Sequence, residues 1–341
     1  MLSTQIRHLS VFTTLLLSLF GTRSGVAYAS CVPDTTSANS AKTTPRLQQI
    51  KNMYGFGGFV YALDNCPSSS QLVSDFSKMK AAGARMAITF DFCGDGDDPD
   101  YYGEVIQAAG KAGIHIIPLA WTLYFEAGQT WSNTAIPKIK AVTQAVIENP
   151  GPVLAVAFGD EPLFDNDAGS PANLAKYILQ MKSDFKNAGL SDIPISISDM
   201  AYGWQSAGDI SAVAAAVDFF MINNFPYFNF NAQSGGSASS WSDFTADIAY
   251  FESIANGRPL LVTQTGWPSN QNLWSPNSPN VVTSISSEEG FWNLLDDHCK
   301  DFFKAKKIAW LWRGWDDTLD GWGVLRTDGS KKWNFSAKQT C

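Results

Sequence analysis

Eight short apolar runs, rich in β-branched and aromatic residues, recur between residues 54 and 315. Stretches with the periodicity of amphipathic helices separate most of them, and strands that alternate with helices pair in parallel through right-handed crossovers. Runs that lack polar alternation indicate strands buried on both faces. The predicted strands cover residues 54–63, 86–90, 114–121, 153–158, 193–198, 219–225, 260–265 and 309–315.

The number of these units predicts the fold. Eight alternating strands and helices match a closed (β/α)8 TIM barrel, an α/β fold that forms a single domain. A doubly wound open sheet is the alternative, but no Gly-x-Gly-x-x-Gly motif follows the first strand to hold a dinucleotide. The clearest helical stretches cover residues 71–82, 102–112, 136–147, 173–188, 240–254 and 287–303.

The amino-terminal residues resemble a secretion signal. Arg7 precedes an apolar stretch at 11–20, and Ala27-Tyr28-Ala29 has the small-x-small pattern of a cleavage site. We therefore predict a signal peptide over residues 1–29, a Ser/Thr-rich leader over 30–50 and the barrel over 51–341. The mature protein is expected to be secreted, as an extracellular or cell-wall protein.

The charge of the chain limits its possible binding partners, and its cysteines predict disulfide bonds. The chain has 24 basic and 32 acidic residues and a net charge of −8, which disfavours nucleic-acid binding. We expect a monomer without a membrane anchor, metal or cofactor. In a secreted protein the five cysteines are expected to form disulfides. Cys66 and Cys93 are the preferred pair, while Cys31, Cys299 and Cys341 compete for a second bond.

The predicted strands end in acids, amides and indoles. A TIM barrel builds its active site at these carboxyl ends, and two carboxyl groups flanking a sugar are the minimal apparatus of glycoside hydrolysis. Glu161 is the best candidate for the acid, because the neighbouring charge of Asp160 should raise its pKa. The other residues at these ends are Asp91, Trp121, Asp199, Asn223, Gln264, Trp315, Asp316 and Asp317.

The aromatic content suits a polysaccharide cleft. Aromatic residues make up 13% of the chain, including 12 Trp, whereas charged residues make up only 16%. Ring faces stack on the C–H surfaces of pyranoses, although a large core also consumes aromatic residues. We predict that Trp267, Trp315 and Tyr227 are the leading stacking residues.

Four ordered segments resemble glycoside hydrolase family 17, the β-1,3-glucanases and glucanosyltransferases. Residues 259–269 (PLLVTQTGWPS) are similar to the segment that carries the family's nucleophile, and residues 156–164 (VAFGDEPLF) to the segment of its acid/base. Residues 223–228 (NNFPYF) and the WDD and WGVL segments at 315–317 and 322–325 resemble the ends of the sixth and eighth strands. The resemblance implies a TIM barrel that acts on cell-wall β-1,3-glucan.

The resemblance assigns the acid/base role to Glu161 and places Gln264 where the family has its nucleophilic glutamate. A neutral amide cannot form the glycosyl ester of a retaining mechanism. Two further departures are Asp160, where the family has Asn, and Asp320, where a lysine is usual. The predicted function is hydrolysis or transglycosylation of β-1,3-glucan.

Three interpretations of Gln264 remain open at this point. In the first, the chain binds glucan without cleaving it. In the second, the missing carboxylate comes from Asp160, Asp199, Asp316 or Asp317, as in an inverting enzyme. In the third, a 2-acetamido sugar supplies its own nucleophile, with Asp160 orienting it, Gln264 donating a hydrogen bond and Glu161 protonating the leaving group.

Overall fold

A computed structural model of the chain describes residues 44–341. Nine parallel strand segments form one sheet, and each begins within one of the eight predicted strands. The segments are β1 (Gly55–Ala62), β2 (Met86–Phe90), β3 (His115–Ile117), β4 (Leu119–Ala120), β5 (Val156–Asp160), β6 (Ile195–Met200), β7 (Phe220–Asn223), β8 (Leu260–Thr265) and β9 (Ala309–Trp312).

The sheet closes into a barrel, which confirms the predicted (β/α)8 fold. Its order is β3-β2-β1-β9-β8-β7-β6-β5-β4, so β3 and β4 stand at the two ends. These two segments belong to one strand that Pro118 interrupts, because proline has no N–H to donate to the ladder. β3 pairs with β2 and β4 pairs with β5, and an additional bridge joins Ile116 to Val153.

Helices cover the outside of the barrel. In most of the longer helices, the side chain of a Ser or Asp just before the first turn accepts a hydrogen bond from a backbone N–H of that turn. This N–H group has no partner within the helix itself. The helices are α1 (Pro45–Asn52), α2 (Ser69–Ala81), α3 (Pro99–Ala112), α4 (Ile136–Glu148), α5 (Pro171–Asn187), α6 (Ala201–Ser206), α7 (Ser211–Ala216), α8 (Ala238–Ala255) and α9 (Ile285–Asp297). Two π-helical segments (Trp131–Ala135 and Cys299–Lys304) and a 3₁₀ turn (Pro226–Phe228) complete the structure.

Helix α1 begins within the range predicted as a leader. Thr44 caps it, and Arg46 donates hydrogen bonds to the backbone oxygens of Pro150 and Val153 and pairs with Asp192. These contacts anchor residues 44–52 to the barrel. The predicted signal peptide and most of the predicted leader lie outside the described residues.

Two disulfides link the described part of the chain. The predicted bond between Cys66 and Cys93 is confirmed, with the Cα atoms 4.8 Å apart. Cys299 bonds to Cys341, with a Cα separation of 5.9 Å, and Cys31 lies outside the described residues. Within residues 44–341, no helix is both long and apolar enough to cross a membrane.

Much of the aromatic surplus lies in the core between α9 and the adjoining strands. The ring of Trp292 on α9 lies with its centroid 5.2 Å from the rings of Phe56, Trp310 and Trp312. All four residues are buried. Packing in this buried cluster therefore explains several of the Trp residues, which need no role in ligand binding.

Gly58 lets strands β1 and β2 approach each other. A Cβ atom at this position would lie 1.7 Å from the backbone oxygen of Met86. We predict that Gly58→Ala lowers the free energy of unfolding by about 3 kcal/mol or more, because backbone cannot yield as a side chain does. Thermal unfolding measures the effect. Gly151→Ala is the matched control, since no atom lies within 4 Å of its Cβ, and equal stability of the two variants would contradict the prediction.

Candidate active site

Five polar side chains meet at the carboxyl end of the barrel. Asp160 and Glu161 come from the end of β5, Asn223 from β7, Gln264 from β8, and Arg313 directly follows β9. The register of β7 and β8 pairs Asn223 with Gln264, which places the two amides side by side. Glu161 and Gln264 therefore lie at the same end of a closed barrel, as predicted.

The backbone at the end of β5 is unusual. Gly159 has a φ angle of 88°, and a Cβ there would lie 2.4 Å from the hydroxyl oxygen of Thr122. Glu161 adopts the left-handed region at φ 54°, while its N–H donates to the backbone oxygen of Ser198 over 2.7 Å. Non-glycine residues held in this region cluster at functional sites, because the surrounding structure must offset the strain.

A single amide joins the two carboxyl groups. Asn223 Nδ2 donates to Asp160 Oδ1 and to Glu161 Oε1, each over 3.0 Å. The hydroxyl of Ser198 donates to Asn223 Oδ1 over 2.7 Å, so the amide nitrogen must face the acids. The two carboxyl oxygens bound to Nδ2 are consequently no more than about 6 Å apart.

Gln264 is held from both sides. Its Oε1 accepts a hydrogen bond from the guanidinium of Arg313, and its Nε2 donates to Asp160 Oδ1. Gln264 is fully buried and Arg313 nearly so. The guanidinium carbon lies 4.3 Å from the centroid of the Phe90 ring and 4.9 Å from that of Trp274, so aromatic faces surround the cation.

The environment separates the roles of the two acids. Burial, and after it the charge of Asp160, raises the pKa of Glu161 to about 8 against the lowering effects of Asn223 and Arg313. The direction predicted from the sequence is thereby confirmed. Burial also raises the pKa of Asp160, but Arg313, Asn223 and Gln264 all favour its charged form. At neutral pH Glu161 accordingly holds a proton, and Arg313, Asn223 and Gln264 make Asp160 the acid whose surroundings favour ionisation.

Two other acids near the strand ends have structural partners. Asp199 is fully buried and accepts hydrogen bonds from the N–H groups of Leu163 and Met200 over 2.7 and 2.8 Å. Asp91, at φ 60°, accepts a hydrogen bond from the N–H of Phe92, and burial raises its pKa to about 6. Asp199 thus ties the loop after β5 to the end of β6.

Asp316 and Asp317 lie away from the Glu161 cluster. Asp317 forms a 2.8 Å ion pair with Lys332, whose ammonium also contacts Glu288 over 3.1 Å. Asp316 accepts a hydrogen bond from the N–H of Thr318 over 3.0 Å. Neither carboxyl group hydrogen-bonds to the five central side chains within the part of the chain described.

Two of the three predicted stacking residues are covered by other parts of the chain. Tyr227 and Trp267 are fully buried and Trp315 is only 4% exposed. The Tyr227 hydroxyl donates to the backbone oxygen of Trp274 and the Trp267 indole to that of Val282. The prediction was wrong for Tyr227 and Trp267, because loops fold over these rings. Trp121 is half-buried, with its ring 5.1 Å from that of Phe90.

Arg313 is the central residue that the sequence did not identify. The candidate set was drawn from acids, amides and indoles at strand ends, and a cation was not among them. One signal was available, since Arg313 is the only charged residue within the apolar segment 308–315. A charge in such a run requires a buried partner.

Within residues 44–341, no cluster of three or more His, Cys, Asp or Glu side chains is arranged to hold a metal ion. The five central side chains themselves offer two carboxyl groups, two amides and a guanidinium. Of these, the carboxyl group of Glu161 can donate a proton and the carboxylate of Asp160 can stabilise positive charge.

The high pKa of Glu161 makes stability depend on pH. The ordinary value is 4.5 and the folded value about 8, so between them the folded chain holds a proton that the unfolded chain releases. This group therefore lowers the free energy of unfolding as pH rises through that interval. We predict that Glu161→Gln raises the melting temperature relative to the original chain at pH 8. This increase should exceed any change that the substitution causes at pH 5 by about 2 °C or more.

Thermal unfolding at both pH values measures this difference. Glu104→Gln, on the exposed face of α3, is the control and should show the same change at both pH values. A Glu161→Gln difference that is independent of pH would show that the carboxyl group does not titrate as described.

Comparisons with known proteins agree with this architecture. The chain is 22% identical over 303 residues to a probable glucan endo-1,3-beta-glucosidase, eglC, of Aspergillus niger, which covers 85% of this chain and 57% of that protein. The chain thus spans little more than half the length of this curated relative.

Two solved structures share the fold. The endo-laminarinase from Formosa Hel1_33_131 has a TM-score of 0.63 at 17% identity, covering 82% of this chain and 86% of that chain. The exo-beta-1,4-mannosidase Op5Man5 from Opitutaceae bacterium strain TAV5 has a TM-score of 0.58 at 12% identity, covering 82% and 59%.

The family model described as the BtgE/BtgC glycoside hydrolase domain matches residues 58–311. The match runs from β1 to β9 and includes Asp160, Glu161, Asn223 and Gln264. Since it spans most of the sequence, the chain belongs to the BtgE/BtgC glycoside hydrolase domain family.

Proposed function

We propose that this chain is a secreted glycoside hydrolase that acts on cell-wall β-1,3-glucan, with Glu161 as the general acid. The observation that carries the proposal is the carboxyl group of Glu161 at the carboxyl end of the barrel, which accepts a hydrogen bond from Asn223 and whose pKa is raised to about 8. Family membership supports the reaction class, and similarity to the probable glucan endo-1,3-beta-glucosidase of Aspergillus niger supports the substrate. The family 17 resemblance of the site segments points to the same substrate.

Glu161 has the properties that an acid catalyst needs. A group that donates a proton to the leaving glycosidic oxygen must be protonated at the working pH, and a pKa of about 8 meets that condition. The charge of Asp160 helps to keep the proton on Glu161 until the oxygen accepts it. The strained backbone at Glu161 fixes the position from which the proton is delivered.

Asp160 is the best candidate for the second carboxyl group. Asp199 is engaged by two backbone N–H groups and Asp317 by Lys332, whereas Asp160 shares a donor with Glu161. The nearest oxygens of Asp160 and Glu161 are closer than the 6.5–9.5 Å typical of inverting enzymes, which leave room for a water. We therefore propose that Asp160 attacks the anomeric carbon while Glu161 protonates the leaving oxygen, which forms a glycosyl ester. Water, deprotonated by Glu161, then hydrolyses this ester and frees Asp160, so the product retains its configuration.

Gln264 suits this arrangement because a second carboxylate would contact Asp160. The amide instead donates to Asp160 and accepts from Arg313. Retention also allows a sugar hydroxyl to replace water as the acceptor, so transglycosylation remains part of the proposal. Glucan binding without cleavage is the competing function, and the neutral side chain of Gln264 is the observation that favours it.

Substitution of Glu161 tests the proposed acid. The original chain should release reducing ends from a laminarin-type glucan, and Glu161→Gln should lower kcat by about 10²- to 10⁴-fold, because the amide cannot donate the proton. Glu104→Gln should retain activity within about twofold. If the original chain binds the glucan but releases no reducing ends, the chain is a glucan-binding protein and the hydrolase proposal is wrong.

Charge exchange between Asp160 and Gln264 tests the second carboxyl group. Gln264→Glu alone should lower activity, because two neighbouring carboxylates would compete for one charge. The double variant Asp160→Asn/Gln264→Glu restores a single carboxylate, beside Arg313, and should recover activity at least tenfold above Gln264→Glu. Activity of Gln264→Glu above that of the original chain would mean that Asp160 does not supply the working carboxylate.

The same assay discriminates the acetamido-sugar mechanism. No hydrogen bond to Asp160 Oδ2 is found among residues 44–341, so this oxygen could accept one from the N–H of a 2-acetamido group. Cleavage of acetamido-sugar polymers with retention, and none of β-1,3-glucan, would favour substrate assistance. Inversion of the first product, determined by anomeric analysis, would instead require a carboxylate farther from Glu161 than Asp160.

A further inference from the structure

The exposed aromatic residues of the described chain are confined to one end of the barrel. Phe125 follows β4, Phe164 follows β5, Tyr202 follows β6 and Phe230 follows β7, and their exposure ranges from 44% to 80%. β4 to β7 are neighbours in the sheet, so the segments that follow them are consecutive around the rim; three are loops, and the one with Tyr202 is the start of α6. We call these four residues the aromatic rim. The other large exposed apolar side chains among residues 44–341 are aliphatic: Leu179, Val282 and Ile285.

The middle of the rim is held in place by hydrogen bonds. Asp199, at the end of β6, accepts from the N–H of Leu163, which ties the loop after β5 to the next strand. The rings of Phe164 and Tyr202 consequently lie with their centroids 6.1 Å apart in an edge-to-face arrangement. The Tyr124 hydroxyl donates to the backbone oxygen of Asp167 over 3.2 Å, which joins the loop of Phe125 to that of Phe164.

The rim is continuous with the candidate active site. Phe164 is three residues beyond Glu161, and Tyr202 is three residues beyond Asp199. The buried carboxylate of Asp199 thus connects the chain segment that carries the acid to the exposed ring pair. A ligand that extends outward from Glu161 on this side would meet Phe164 and Tyr202 first.

We propose that the aromatic rim is a second saccharide-binding surface, which holds a β-glucan chain beyond the sugar units that Glu161 contacts. Phe side chains offer no hydrogen bonds, so a partner must gain by covering ring faces, as the C–H surfaces of pyranoses do. A neutral glucan requires no charged partner, and the four rim residues carry none. The proposal rests on the proposed function for its choice of ligand.

Binding to insoluble β-1,3-glucan tests the surface without requiring turnover. The double variant Phe164→Ala/Tyr202→Ala should need about a tenfold higher glucan concentration for half-saturation, since it removes two adjacent ring faces on which pyranoses can stack. Leu179→Ala is the matched control, because Leu179 is 53% exposed but lies on the outer face of α5. Its binding should equal that of the original chain. Melting temperatures of both variants verify that they fold.

Three results would overturn the proposal. The original chain could fail to bind the glucan, the double variant could bind as well as the original chain, or Leu179→Ala could lose as much binding as the double variant. A concentration-dependent dimer that disappears in the double variant, with glucan binding unchanged, would assign the rim to a second copy of the chain instead. A chain that hydrolyses nothing but loses binding only in the double variant would refute the proposed function and support the rim.

Discussion

The buried guanidinium of Arg313 is the constraint around which the candidate site is organised. A cation away from water is stable only when it is paired, and a buried charge left alone costs several kcal/mol. Aromatic faces surround it, and Gln264 Oε1 accepts one of its hydrogen bonds. Its charge is balanced by Asp160, which also receives the amide N–H of Gln264. The orientation of Gln264 is therefore fixed by electrostatics.

This constraint explains why the surroundings of two adjacent carboxyl groups differ. Asp160 receives two amide donors, and Arg313, Asn223 and Gln264 all lower its pKa, whereas the charge of Asp160 raises the pKa of Glu161. Once Asp160 is charged, Glu161 keeps its proton into the neutral range. The amide of Asn223 donates a hydrogen bond to each carboxyl group and so holds the two groups close together. A change at Arg313, Gln264 or Asn223 would alter the proton affinity of Glu161 without touching it.

The periodicity of the sequence predicted the barrel well, because burial on both faces produces apolar runs that are easy to recognise. Strands β2 and β8 have the predicted bounds, whereas the predicted third strand is divided at Pro118, whose missing donor is a local effect. Long-range packing could not be predicted in the same way. The burial of Trp267 and Tyr227 depends on loops far away in sequence, and so does the pairing of Arg313 with Gln264. The candidate acids were found because position at a strand end is a local property.

Pro118 also affects the mechanics of the barrel wall. The Leu119 N–H donates to the hydroxyl of Thr89 rather than to a ladder carbonyl, and β3 and β4 contribute only short ladders to their neighbours. We call the junction of β3 and β4 the seam. The barrel has the fewest backbone hydrogen bonds between neighbouring strands here, so opening the barrel at the seam would break the fewest bonds. The seam adjoins Gly159 through Thr122, which follows β4 and lies against the strained end of β5. Separation of the strands at this seam would therefore also shift the backbone that carries Glu161. The position of the acid thus depends on how easily the barrel deforms there.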